Sequence, residues 1–221
     1  PAGGPFVATF ALISLLLTMV WESFLPIGLG LTLWCAYFFR DPKRVTPEGD
    51  SLVIGPADGM VSMIEQVTLP ADFDTDWGSL QILFNGVSIF LNVFDVHIQR
   101  IPISGTVKEV VYRPGKFLNA SLDKASEENE RSSVLMETAA GKKIAFVQIA
   151  GLIARRIIND LKKDQAVTVG SRYGLIRFGS RVDLYLPPDV APLVCVGQRT
   201  VGGETVMADL TNTHARKGVV R

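Results

Sequence analysis

From Ser180 to Leu186 the chain alternates, with Arg181, Asp183 and Tyr185 on one side and Val182, Leu184 and Leu186 on the other. That period of two predicts a half-buried strand, stopped by Pro187-Pro188. A different pattern opens the chain. Phe6 to Phe39 is apolar on all faces, and Glu22 is its only charge. As one helix these 34 residues would reach roughly 51 Å, well beyond a hydrocarbon core of about 30 Å. Glu22, Ser23 and Pro26 interrupt the run. Two short helices are expected, about Phe6–Val20 and Ile27–Phe39, folded as a hairpin or seated in one leaflet. No basic leader or small-residue cleavage site marks a signal peptide.

From Ser51 the pattern turns to short runs of branched residues between Gly, Pro, Asp and Asn. Strands are predicted at Leu52–Ile54, Met60–Val67, Leu80–Phe84, Val87–Val93, Thr106–Tyr112, Lys143–Ile149, Val167–Val169, Arg181–Leu186, Leu193–Val196 and Thr200–Ala208. Leu152–Lys163 reads as an amphipathic helix. Asn119–Ser133 reads as a mobile polar loop, and the tail after Leu210 as loosely held. Gly followed by a branched residue recurs at Gly59-Met60-Val61, Gly105-Thr106-Val107 and from Gly197 to Val206. Tightly turned hairpins use this pattern, and it resembles the barrel-sandwich hybrid of lipoyl and biotinyl domains. The expected fold is mainly β (α+β): residues 41–221 form a barrel-sandwich-hybrid-like domain with one or two short helices. Residues 1–40 precede it as an apolar helical hairpin associated with a membrane.

Composition narrows the functions. The 22 basic and 22 acidic side chains cancel, which excludes a general nucleic-acid binder. Cys35 and Cys195 stand far apart in apolar runs, so neither a disulfide framework nor a zinc spacing is present, as suits a reducing cytosol. Asp72, Asp74 and Asp76 lack the later Gly and Glu of a calcium loop and read as solvated; no metal is expected. Arg40, Lys43 and Arg44 follow the apolar run at once, which favours the cytoplasmic side and contact with anionic headgroups. Because the chain opens on Pro1 rather than Met, its native start is expected upstream.

Gly179-Ser180 stands where the alternating strand begins. Gly179 lets its carbonyl be approached closely, and Ser180 offers a hydroxyl beside it. Attack of that hydroxyl exchanges amide for ester. Elimination then leaves a dehydroalanine, which hydrolyses to a pyruvoyl group and ammonia. Gly-Ser is also among the commonest turn dipeptides.

Six further stretches carry a resemblance. They are Phe39-Arg40-Asp41-Pro42, Pro56-Ala57-Asp58-Gly59, Asn92 to Arg100 (Asn-Val-Phe-Asp-Val-His-Ile-Gln-Arg), Glu128-Asn129-Glu130-Arg131, Gly151 to Ile157, and Gly174 to Ser180. In this order they resemble the phosphatidylserine decarboxylase family in its short bacterial and archaeal form. The resemblance implies a pyruvoyl-dependent proenzyme cleaved between 179 and 180, whose large and small chains stay together. It implies decarboxylation of phosphatidylserine to phosphatidylethanolamine through a Schiff base with the pyruvoyl group made from Ser180, the one cofactor. His97 is then the proton-transfer base, and Asp58 the carboxylate that orients it, with Asp95 as a local alternative. Larger members carry a second histidine where this chain has Arg100. Arg100, Arg177 and Arg181 are candidates for the lipid phosphate; His214 reads as solvated. A homo-oligomer on the cytoplasmic side of the cell membrane is expected. Two other readings remain: a pyruvoyl decarboxylase of a soluble amino acid, and a non-enzymatic lipoyl or adaptor domain carrying Lys124 in Leu122-Asp123-Lys124-Ala125.

Overall fold

The protein is described here by a computed structural model, which covers residues 3–73, 83–115, 128–151, 156–177, 180–216 and 218. Gly179, Lys124 with its turn, Asp74 and Asp76 lie outside the described residues.

The apolar run folds as two helices, α1 (Gly4–Val20) and α2 (Phe24–Phe38). Pro26 falls in the first turn of α2, where its missing N–H breaks no helical bond. The two helices double back. Phe6 near the start of α1 stacks on Phe39 just past α2, with ring centroids 5.4 Å apart. Gly28 lies against Ser14 so closely that a Cβ there would meet the Ser14 Cβ at 2.5 Å. Leu12, Leu16, Met19, Leu25, Leu29 and Leu33 face outward. Among the described residues no helix is long and apolar enough to cross a membrane.

The rest is β. An eight-stranded sheet runs in the order β12 (Arg199–Thr200), β2 (Gly59–Thr68), β3 (Leu83–Leu91), β11 (Ser180–Leu186), β7 (Lys143–Ile149), β6 (Arg131–Glu137), β5 (Gly105–Arg113), β9 (Ala166–Val167). It curls into a half-barrel. Beside it lie a three-stranded sheet, β4 (Ile98–Arg100), β10 (Arg172–Ile176) and β8 (Ile157–Asn159), and the pair β1 (Leu52–Ile54) with β13 (Val206–Asp209). The mainly β fold and the apolar helix pair match the sequence reading.

Several details differ from that reading. Strand β11 is buried along its whole length rather than half-buried, because both faces of the sheet carry a core. Val182, Leu184 and Leu186 join the larger cluster with Val87, Ile89, Val134 and Phe146. Tyr185 joins the smaller one with Phe73, Phe84 and Val147. Ile157–Asn159, inside the expected helix, is a strand: its edge is claimed by β10, with Leu175 opposite Ile158. The expected polar loop ends in β6, whose Ser132 and Ser133 are buried and bonded to Asn159 Nδ2 (2.9 Å) and Asp72 Oδ2 (3.1 Å). Asp72 is therefore not solvated; Arg131 grips it through Nε at 2.5 Å and Nη2 at 2.6 Å. Leu193–Val196 forms no strand; Pro192 alone bridges to Ala208.

Candidate active site

The central strand β11 begins at Ser180, paired with Leu91 of β3. Four residues earlier, the Ile176 N–H donates to the His97 carbonyl at 3.3 Å. Ser180 opposite Leu91 and Ile176 bonded to His97 thus both lie against the stretch from 91 to 97. This register brings Ser180 and the His97 segment into one neighbourhood, although 83 positions separate them in sequence (180 − 97).

Both side chains are fully buried, and among the described residues each keeps a polar atom without a partner: Ser180 Oγ and His97 Nε2. Burying an unpaired polar atom costs about 1–3 kcal/mol, so such atoms are rare unless chemistry uses them. The other imidazole nitrogen is fixed. His97 Nδ1 lies 3.0 Å from the Asp95 carbonyl. A carbonyl only accepts, so Nδ1 carries the hydrogen and the lone pair of Nε2 is free. The Phe38 ring lies 4.2 Å from the imidazole, centroid to centroid. Burial pushes the His97 pKa down to about 4; Asp95 opposes the shift and Arg40 reinforces it. The ring is thus a neutral base at neutral pH.

The loop between β3 and β4 holds that tautomer. The Asp95 carboxylate is buried, accepts the Asn92 N–H at 2.9 Å and pairs with Arg199 of β12. Asp58 stands elsewhere: it accepts Arg44 Nη2 at 2.8 and 3.0 Å and the Gly202 N–H at 2.8 Å. Among the described residues its hydrogen bonds go to these two and not to His97. Its turn still packs along the strand that follows His97, since the Pro56 carbonyl accepts the Arg100 N–H at 2.9 Å. Gly59 makes the turn possible: its φ is +156°, and a Cβ would meet the Phe90 carbonyl oxygen at 2.4 Å.

The candidate arginines separate. Arg181 is buried in a two-bond pair with Asp183, at 2.6 and 2.8 Å. Arg100 donates to the Gly170 and Pro42 carbonyls, both at 3.0 Å. Arg177 lies over the Phe6 ring, 4.7 Å from its centroid, and its Nε is buried without a partner. Of the three, Arg177 is the one that lies against a ring of the helix pair. His214 is exposed, as read from sequence.

Two contributors escaped the sequence reading. Phe38 supplies the apolar wall against His97, and nothing in a run of apolar residues singles it out. Asn129 donates through Nδ2 to the Ala150 carbonyl at 2.8 Å, while the Ala150 N–H donates to the Glu130 carbonyl at 2.9 Å. The stretch from Glu128 to Arg131 is thereby tied to the end of β7, next to β11. Among the described residues no three His, Cys, Asp or Glu side chains cluster as metal ligands would.

Comparison with known proteins gives the same direction. The phosphatidylserine decarboxylase family matches residues 31–208. A Paramagnetospirillum magneticum protein named phosphatidylserine decarboxylase proenzyme is 57% identical over 99% of this chain and 90% of its own length. A Cereibacter sphaeroides protein of the same name is 54% identical over 97% of this chain and 91% of its own length.

Proposed function

Because the chain belongs to the phosphatidylserine decarboxylase family and decarboxylates phosphatidylserine, we propose that it does so with a pyruvoyl group made from its own Ser180. The observation that supports this reading is the pair of buried, partnerless atoms, Ser180 Oγ and His97 Nε2. A pyruvoyl group fits this position, since it replaces a side chain already enclosed at the head of a buried strand.

In the precursor, His97 Nε2 takes the Ser180 hydroxyl proton as Oγ attacks the Gly179 carbonyl carbon. The C–N bond to Ser180 breaks and an ester forms. Loss of the Ser180 α-proton expels the Gly179 carboxylate, and water then releases ammonia from the dehydroalanine. In the mature enzyme the group supplies a ketone for the substrate amine and a sink for the electrons left by carbon dioxide. His97, held by the Asp95 carbonyl, is positioned to return a proton to the carbon that lost it. Asp58 serves as the supporting carboxylate, fixing with Arg44 and Gly202 the turn packed along β4. Arg177 is the arginine assigned to the lipid phosphate.

The hairpin formed by α1 and α2 seats in one leaflet. Each helix is roughly 22–26 Å long, short of a full crossing, and its outward face is apolar. The cations after Phe39 place the β domain on the cytoplasmic side. Residues 1–40 act as the membrane segment and 41–221 as the decarboxylase domain, which assembles as a homo-oligomer.

Mass analysis of the purified protein tests the central claim. It should give two fragments, Pro1–Gly179 and Ser180–Arg221, with the smaller blocked to Edman degradation. An intact chain that still turns over phosphatidylserine would refute it.

A further inference from the structure

Away from Ser180, one cleft gathers cations. Lys43, Arg44, Arg100, Ser171 and Arg172 line a space of about 490 Å³. Arg100 and Arg172 are register partners on β4 and β10, so two like charges stand side by side, an arrangement that destabilises a sheet unless something balances it. The balance among the described residues is partial. Asp41 pairs with Arg172 at 2.8 Å and with Arg100 at 3.4 Å, and Asp58 pairs with Arg44 at 2.8 Å. Four cations thus meet two carboxylates.

Donor capacity is also left over. Arg44 Nε is buried without a partner, and Lys43 has no hydrogen-bond or ion-pair partner among the described residues. Burial lowers the Arg100 pKa, and the neighbouring Arg172 and Arg44 push it the same way. An anion in the cleft would relieve this crowding. Guanidinium groups present paired donors suited to phosphate oxygens. The position points to a source: Lys43 and Arg44 follow α2 directly, at the foot of the hairpin whose outer face is apolar.

We propose that the Lys43–Arg44–Arg100–Arg172 cleft binds the phosphate of an anionic membrane lipid other than the substrate molecule held at Ser180. This rests on the membrane reading of the hairpin. The cleft adds a charge-selective contact to an apolar anchor, so lipid composition sets how firmly the enzyme sits.

The test compares the full chain with the double variant Lys43→Ala/Arg172→Ala; both substituted side chains lie outside the Ser180 site. Each is floated with vesicles of phosphatidylcholine alone, and of phosphatidylcholine with phosphatidylglycerol, at one ionic strength and at lipid that half-binds the wild type. Phosphatidylglycerol should tighten wild-type binding, and the variant should lose about fivefold of that gain per cation removed. Binding to pure phosphatidylcholine should be equal for both. An undiminished gain in the variant overturns the proposal. Failure of both proteins on phosphatidylcholine alone would instead count against the hairpin reading, and the variant's share of the phosphatidylglycerol gain would still judge the cleft. Two further arms separate the sources of phosphate. If inorganic phosphate raises the wild-type melting temperature but not the variant's, while the phosphatidylglycerol gain is the same in both, the cleft is a free-phosphate site and the lipid proposal fails. If the variant decarboxylates phosphatidylserine more slowly in neutral detergent micelles, the cleft holds the substrate's own phosphate and the proposal fails again; equal rates support it.

Discussion

Ser180 and Arg181 are neighbours in one buried strand, yet their side chains meet opposite conditions. Arg181 points to the face of the smaller cluster and is satisfied at once by Asp183, at 2.6 and 2.8 Å. On the same face Arg131, Ser133 and Asp72 complete one another. Ser180 points the other way, and among the described residues its hydroxyl finds no partner; nor does His97 Nε2. Both regions are buried and polar, so burial alone does not distinguish them. The difference lies in whether the polar atoms are paired. A paired buried charge holds the sheet in register, whereas a buried hydroxyl and a buried imidazole nitrogen left unpaired cost stability unless chemistry uses them. The Tyr173 hydroxyl is also unpaired, and nothing in the structure explains it.

The sharpest way to break this contrast is to remove the unpaired hydroxyl. Ser180→Ala should leave one uncleaved chain and no decarboxylation, because the attacking hydroxyl is gone. The change removes a single oxygen, so the fold should persist with an unchanged circular dichroism spectrum. Normal cleavage in that variant, read on a denaturing gel, would mean that Ser180 is not the nucleophile. His97→Ala comes next. Losing a positioned acid–base group costs typically 10²–10⁴-fold in rate, so decarboxylation should fall by about that much even in molecules that still cleave. Unchanged turnover would remove His97 from the scheme.

On the paired side the effect should appear as stability. Arg181→Met strands the Asp183 carboxylate in the sheet, which costs about 3–5 kcal/mol. The melting temperature should drop sharply, while the fraction that folds still cleaves at Ser180. Arg181→Met with Asp183→Leu should recover much of the loss, since replacing a whole buried pair by apolar groups is often neutral or stabilising. If the single variant melts like the wild type, the pair is not structural and the contrast fails.

How much of this was legible in the sequence follows from the range of each interaction. The strand from Ser180 to Leu186 announces itself by alternation, and the helix pair by an apolar run interrupted once, at Glu22 to Pro26. Ser180, His97 and Asp58 stand in recurring motifs. Local pattern could not show that β11 is covered on both faces, because the second cover comes from Leu69, Phe73, Phe84, Leu135, Val147 and Ile149, distant in sequence. Ile157–Asn159 carries helical spacing and was claimed by a distant strand edge. Ser132 and Ser133 look like loop residues until Asn159 and Asp72 bond to them. Asp58 reads as a turn carboxylate, and its partner Arg44 was legible only as a cation after an apolar run.

The gentlest probe concerns the wall between the two regions and the hairpin. Phe38 is 1% exposed and lies on the His97 ring, so it helps to keep water from the base. The folded pKa of His97, about 4, lies below the 6.5 of a free imidazole. The unfolded chain therefore takes up a proton first as pH falls. The stability contributed by the neutral buried ring is complete above pH 6.5 and is lost as pH drops toward 4, by about 3 kcal/mol in all. Phe38→Leu keeps an apolar side chain but trades a flat wall for a smaller, looser one, leaving space beside the ring. Water reaching the ring should then raise the His97 pKa toward 6.5 and move the acid loss of stability to higher pH. With only two histidines in the chain, the His97 imidazole resonance followed by NMR between pH 3 and 8 can report this directly. A His97 resonance that titrates at the same pH in both proteins would show that other groups set its desolvation. The helix pair would then have no part in tuning the base.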